Sequence, residues 1–518
     1  MIVTPIRAVA VGLLALCAVP FVVPTTSRGQ PPAGGAATAH NDVFSECYRC
    51  HYQGPTPLDK RNGADRFLRL TESSVWENQD LHAKAVESLK GDLGQRMGDL
   101  LYRDKDVTKR PECLACHAVD LSAGPGHAGH SQNLNDFYRD NGVSCEACHG
   151  VATDGDKNKD WLEQHRRAGW RKLLPAEKTA KGLIDMRSPE ARAERCAACH
   201  VGNAAEGKFV THAMFAAGHP PLPPLEMLTY SRDQPSHAIP PEKNKYIAED
   251  VTPDDAWKLF HVRKDESSAA RQAAVGAAVG FREAMKTLAH EAEKAKGGQM
   301  LDFALFDCAA CHHDLIAPSW RQERGFAGTP GRPLPRTGPT TLLRTVAGGE
   351  AGGFDSKFAA LVKACDSRPF GDPAAIGPAA KELASWSDGV AKKLDDAHYD
   401  TARTVQLRRD LADAGRRKPG RGLDYDDAQQ LLWAFDALRD QLPAEPPEVG
   451  AELSKLAGPE PEKPMLGRLY EDGKWEPGKR PLIATILPDR LRRVSQYRPE
   501  PFWDAFERIA AALGPVGR

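Results

Sequence analysis

Apolar residues recur at helical spacing through the last third of the chain. Phe354, Phe358, Leu361, Val362 and Cys365 form one stripe, and Ala428, Leu431, Leu432, Phe435, Leu438 and Leu442 form a second with Asp424 as its N-cap. A third helix is expected over 502–513, separated from the second by the Pro-rich stretch from Pro443 to Pro464. Upstream, residues 268–296 predict a long Ala-rich helix that starts at Ser267-Ser268 and stops at Gly297-Gly298. Another is expected from Ser74 to Leu101. Elsewhere between 40 and 325 helix signals are short, loops are long and strand alternation is scarce. The pattern predicts a mainly α protein.

The N-terminus has a different texture. Arg7 precedes an apolar run from Ala8 to Val23, interrupted by Pro20. Such a run is short for a membrane span and suits the core of an export signal over residues 1–29. A small-x-small sequence, Ala37-Thr38-Ala39, lies far from that core, so the segment is read as an export signal or an uncleaved N-terminal anchor. Residues 30–39 form a Pro/Gly/Ala leader. A second Gly- and Pro-rich stretch at 326–340 reads as a linker between residues 40–325 and a helical domain at 341–518. Lys plus Arg number 69 against 70 Asp plus Glu, a balance that argues against a nucleic-acid partner. Membrane contact is expected only through the N-terminal segment.

The candidate chemistry lies in five Cys-x-x-Cys-His motifs: Cys47-Cys50-His51, Cys113-Cys116-His117, Cys145-Cys148-His149, Cys196-Cys199-His200 and Cys308-Cys311-His312. They use ten of the 12 cysteines. A redox disulfide or half of a zinc site would need Cys-x-x-Cys alone. A His directly after the second Cys, five times over, is the attachment signature of c-type haem. The thiols form thioethers to the porphyrin, and the imidazole becomes the proximal iron ligand. Five covalently attached haem c groups are expected, and residues 40–325 are read as a pentahaem cytochrome c domain. Modest hydrophobic content, 41%, fits a core partly built from porphyrin.

Each iron keeps a second axial position. Filled by another imidazole, the haem is suited to electron transfer; left open, it can bind a small molecule. His82, on a predicted helix, and His165, a short loop beyond the third motif, are the better-placed distal candidates. His219 is held between Gly218 and Pro220-Pro221, with His212 competing and His290 near the end of the long helix a further option. His127 and His130 occupy a Gly-rich loop. Met214, Met227 and Met285 are weaker axial candidates. Lone Cys365 reads as a core residue.

Around these motifs the wording is specific. The run from Cys47-x-x-Cys50-His51 through Trp76 and His82-Ala83-Lys84-Ala85-Val86-Glu87-Ser88-Leu89-Lys90, then Gly142-Val143-Ser144-Cys145-Glu146-Ala147-Cys148-His149-Gly150 and Glu194-Arg195-Cys196-Ala197-Ala198-Cys199-His200, resembles cytochrome c554. That family comprises tetrahaem electron carriers. The resemblance covers residues 43–201 and implies roles by position. His82 would be the distal ligand of the fourth haem and His165 that of the first. The second haem, on His117, would be five-coordinate. The third would take its distal ligand from beyond the fourth motif, His219 in preference to His290. The fifth motif and the C-terminal helices depart from the family, and His212 and His290 are the leading choices for the fifth haem.

The functional expectation is an exported, periplasmic relay passing electrons between a donor and an acceptor protein. The rival is an oxidoreductase acting on a small nitrogen or sulfur species at an open haem. No motif carries the Lys-for-His replacement of pentahaem nitrite reductases.

Overall fold

The computed structural model describes residues 71–119, 140–150, 161–319 and 332–457, apart from short gaps, with 497–514 and positions 47, 51 and 322. The export-signal and leader readings, Cys50, His127 and His130 lie outside the described residues. Among the described residues the secondary structure is helical, with only isolated bridges such as Phe306 to Pro335 in place of strands. The fold is mainly α, as the apolar spacing predicts. No described helix is long and apolar enough to cross a membrane.

The long helix runs over Ser268–Ala295. The Ser267 side chain accepts from Ala270 N at 3.2 Å, and Gly298 at φ +93° turns the chain away beyond the other end. Alanine lets neighbours approach: Ala270, Ala274, Val275, Ala278, Val279 and Phe281 are all fully buried. Its partner is a helix the apolar spacing did not single out, Pro373–Asp396, which buries Ile376, Ala380, Leu383 and Ala391 in the same core. Ser387 Oγ donates to Ala278 O at 2.7 Å across this contact. One continuous apolar cluster runs from Ala193 and Ala197 through the long helix to Phe435, Phe502 and Ile509. The C-terminal helices, which carry no Cys-x-x-Cys-His motif, are thus built directly onto the motif-bearing region.

The expected C-terminal stripes fold as Phe354–Asp366 and Tyr425–Ala437, the latter capped by Asp424, whose side chain accepts from Asp427 N at 2.7 Å. The last helix begins a few residues earlier than expected, at Pro499–Leu513, because Pro499 fits the first helical position. Cys365 is fully buried in the core. Within the expected linker, Leu334 is buried and its carbonyl accepts from Asp307 N at 2.8 Å, tying that segment to the fifth motif.

One expected helix is broken. The stretch from Ser74 to Leu101 folds as Glu72–Gln79, a 3-10 turn over Leu81–Lys84, a single turn at Glu87–Lys90, and Asp92–Tyr102. Asp80 and Gly91 stand in extended conformation at the breaks. Asp80 prefers to accept from His82 N, at 3.0 Å, over continuing the helix, a competition open to any short polar side chain.

Candidate functional site

A Cys-x-x-Cys-His sequence in one helical turn puts both sulfurs and the imidazole on one face, since residues three and four apart are neighbours. The second motif forms the helix Pro111–His117, the third Cys145–His149, and the fourth ends the helix Pro189–His200. The fifth is tighter, a 3-10 turn over Cys308–Ala310 capped by Asp307. The motifs converge. Cys47 and Cys145 share a thiol hydrogen bond that lowers Cys47 and raises Cys145, and Cys116 and Cys199 share another that raises Cys116 and brings Cys199 down to about 7. Burial pushes Cys113 and Cys196 up to about 11 and Cys148 to about 12. Cys308 and Cys311 instead are exposed.

Three of the motif imidazoles face a second imidazole. His82 and His200 have ring centres 6.2 Å apart, His117 and His219 6.4 Å, and His212 and His312 6.2 Å. With a metal–nitrogen bond of about 2 Å and about 1 Å from that nitrogen to the ring centre, two imidazoles on one ion have centres roughly 6 Å apart. The pairs therefore fit an iron between them. The rings are near perpendicular in the first two pairs, at 89° and 83°, and close to parallel in the third, at 27°.

Each partner arrives by a tertiary device. His82 sits on the 3-10 turn, not in a regular helix, and the third motif's leader braces it. Val143 N donates to His82 O at 2.9 Å, Trp76 Nε1 donates to Val143 O at 3.0 Å, and a Cβ on Gly142, at φ +66°, would meet His82 O at 2.7 Å. His212 opens the helix His212–Ala217, with its amide donating to Asp302 Oδ1 at 2.8 Å. Asp302 precedes the fifth motif, so the proximal segment positions its own facing residue. Gly218, at φ +122°, ends this helix, and His219 N folds back to Met214 O at 2.9 Å.

The outer ring nitrogens are also held. His51 Nδ1 donates to Glu72 Oε2 and His82 Nδ1 to Asp80 Oδ1, each at 2.9 Å. His117 Nδ1 donates to Ala85 O at 2.9 Å and His219 Nδ1 to Pro220 O at 2.8 Å. A bond at Nδ1 leaves Nε2 as the free lone pair, the tautomer a metal requires. Burial works against protonating these rings, and His200 and His219 fall to about 4. His117 is lowered for the same reason, while at His82 and His51 the carboxylate partner outweighs burial and raises them.

Two expectations change. His219 stands opposite His117 and not His149, because the Gly218 turn aims it at the second motif. The second motif, expected to carry the open position, therefore has an imidazole facing it. Opposite His312 the position goes to His212, while His290 is half-buried on the long helix. His165 ends the helix Trp161–His165 with its ring 5.5 Å from Trp161, and the next residue, Arg166, acts on Cys47 electrostatically, which brings this helix near the first motif. Met214, Met227 and Met285 are buried in the apolar interior. The carboxylates Asp80 and Glu72 escaped sequence reasoning; an acidic residue two before a candidate His was the available signal for Asp80.

No curated protein and no solved structure matches the chain. A family model does, over residues 47–150, and its description is cytochrome c554 and c-prime. That stretch contains the first three motifs together with Trp76, His82 and the bracing Gly142-Val143. The chain is a c-type cytochrome resembling the cytochrome c554 and c-prime family, with covalently bound haem c and a role in electron transfer.

Proposed function

We propose that the chain carries five haem c groups, one per motif, and relays electrons between donor and acceptor proteins in a periplasm-like space. Haem iron held by two imidazoles exchanges electrons without binding substrate. The observation that carries the reading is the set of three imidazole pairs at iron-spanning separation, His82/His200, His117/His219 and His212/His312. His51 and His149 are the proximal ligands of the remaining two, with His165 the distal ligand of the first. The thiol contacts Cys47–Cys145 and Cys116–Cys199 bring neighbouring motifs close enough for the groups to communicate. The apolar run near the N-terminus supports export, which thioether attachment outside the cytoplasm would require.

The imidazole facing His117 weighs against an open position at that haem, where the resemblance implied one, so an enzyme reading would need its open haem at another motif. The test is haem stoichiometry and spin state in the exported protein. Intact mass and the pyridine haemochrome spectrum should report five haems per chain, with the ferric spectrum dominated by low-spin iron. Fewer than five attached groups, or a high-spin haem on His117 that binds carbon monoxide in the unaltered protein, would overturn it.

A further inference from the structure

Two of the paired sites are neighbours, through the Cys116–Cys199 contact, yet their imidazoles are held by different chemistry. Asp80 is 3% exposed and accepts three bonds: His82 Nδ1 at 2.9 Å, His82 N at 3.0 Å and Gln234 Nε2 at 3.1 Å. Among the described residues no Lys or Arg pairs with it, so the imidazole is the sole positively polarised ring against a buried full negative charge. At the neighbouring site both outer nitrogens meet neutral groups, His117 Nδ1 facing Ala85 O at 2.9 Å and Ser88 Oγ at 3.0 Å, and His219 Nδ1 facing Pro220 O at 2.8 Å. A hydrogen bond to an ionised acceptor is roughly twice as strong as one between neutral groups. It raises the basicity of a ligating imidazole.

We propose that Asp80 is a positioning residue that sets the reduction potential of the iron site between His82 and His200, holding it below the site between His117 and His219. The inference rests on the proposed pairing of His82 with His200. Electron density pushed from the carboxylate through the ring stabilises ferric over ferrous iron, so the one-electron reduction, Fe(III) to Fe(II), is disfavoured at this site. The carbonyl-bonded pair lacks that push. Gln234 keeps the second carboxylate oxygen satisfied, so the charge stays aimed at His82. The consequence is a built-in difference of potential between two adjacent sites, with the carboxylate-backed one as the electron donor and the carbonyl-backed one as the acceptor.

The test is a spectroelectrochemical titration of the holoprotein, with dithionite as reductant, in the parent, Asp80→Asn and Asp80→Glu. Asparagine keeps an acceptor oxygen without the charge. Asp80→Asn should leave every haem low-spin and move one midpoint potential upward by at least a tenfold change in the oxidised-to-reduced ratio at fixed potential, about 59 mV for one electron. Asp80→Glu should return it towards the parent value. Unchanged midpoints in Asp80→Asn, or conversion of a haem to high-spin, would overturn the proposal, the latter because it makes Asp80 a strut for His82 and nothing more. His82→Ala is the control for the pairing beneath it. High-spin iron in that variant with unmoved midpoints in Asp80→Asn defeats only the role of Asp80; an unchanged His82→Ala spectrum defeats the pairing itself.

Discussion

His219→Ala tests the least expected pairing. The ring it removes lies 6.4 Å, centre to centre, from His117 and is anchored by Nδ1 to Pro220 O at 2.8 Å. Alanine cannot reach the iron, and the backbone turn at Gly218 leaves no other imidazole of the His212–Ala217 helix to replace it, since His212 is engaged with His312. One haem equivalent per chain should therefore become five-coordinate. The fold should survive: the loss is one half-buried ring and one hydrogen bond to a carbonyl, about 1–3 kcal/mol. The assay is the ferric spectrum for high-spin iron and carbon monoxide titration of the reduced protein, expected to give one additional binding equivalent over the parent. A second background assigns the haem. In Cys113→Ala/Cys116→Ala, which lacks the haem on His117, adding His219→Ala should contribute no further carbon monoxide binding. If it still adds one equivalent, His219 serves another iron, the third in particular, and the geometric reasoning fails.

His212→Ala should likewise free one haem for carbon monoxide and, because near-parallel imidazole planes keep the iron orbitals well split, it should remove the least anisotropic low-spin ferric resonance; His290→Ala should change neither, and an effect of His290→Ala alone would reverse the assignment. Gly276→Ala would place a Cβ 2.2 Å from Met227 Cγ and 2.5 Å from Met227 Cβ, closer than rotamer change can relieve. The clash should cost about 1–3 kcal/mol despite the better helix propensity of alanine, read as a lower midpoint in thermal or denaturant unfolding, and a stabilised variant would contradict it. Lys178 is buried, and burial, with the Arg187 charge, brings it down to about 8 from 10.5. The folded protein then binds fewer protons than the unfolded chain between those values, so this group's contribution to stability rises as pH climbs from about 8 to 10.5. Lys178→Met should remove that rise and add up to about 3 kcal/mol at neutral pH; denaturant titrations of both proteins at pH 7 and 10 check it, and equal pH slopes would refute it.

Legibility differed with the range of the interaction. Helices whose apolar stripes face the common core, such as Phe354–Asp366 and Tyr425–Ala437, could be read from spacing and caps because both are written within a few residues. The Pro373–Asp396 helix is not legible from spacing, because prolines at 373 and 378 mask a pattern that packing against Ala278 and its neighbours sustains. The break at Asp80 is hidden for a related reason. Propensity over 74–101 favours one helix, and only the long-range partners of His82 and Asp80, Val143 and Gln234, reward the extended residue there.

The sequence by itself determined where two sulfurs and one imidazole come together, because Cys-x-x-Cys-His spacing is a local arrangement that a single helical turn delivers. It also determined a mainly α fold and the residues from which distal partners could be drawn. Which imidazole faces which was decided by tertiary structure alone. His82 reaches His200, His219 reaches His117 and His212 reaches His312 across long stretches of chain, through an Asp302 bond, a left-handed glycine and a braced 3-10 turn. Axial pairing requires two rings on opposite sides of one point in space, and that condition is set by how the helices pack, which no local spacing encodes.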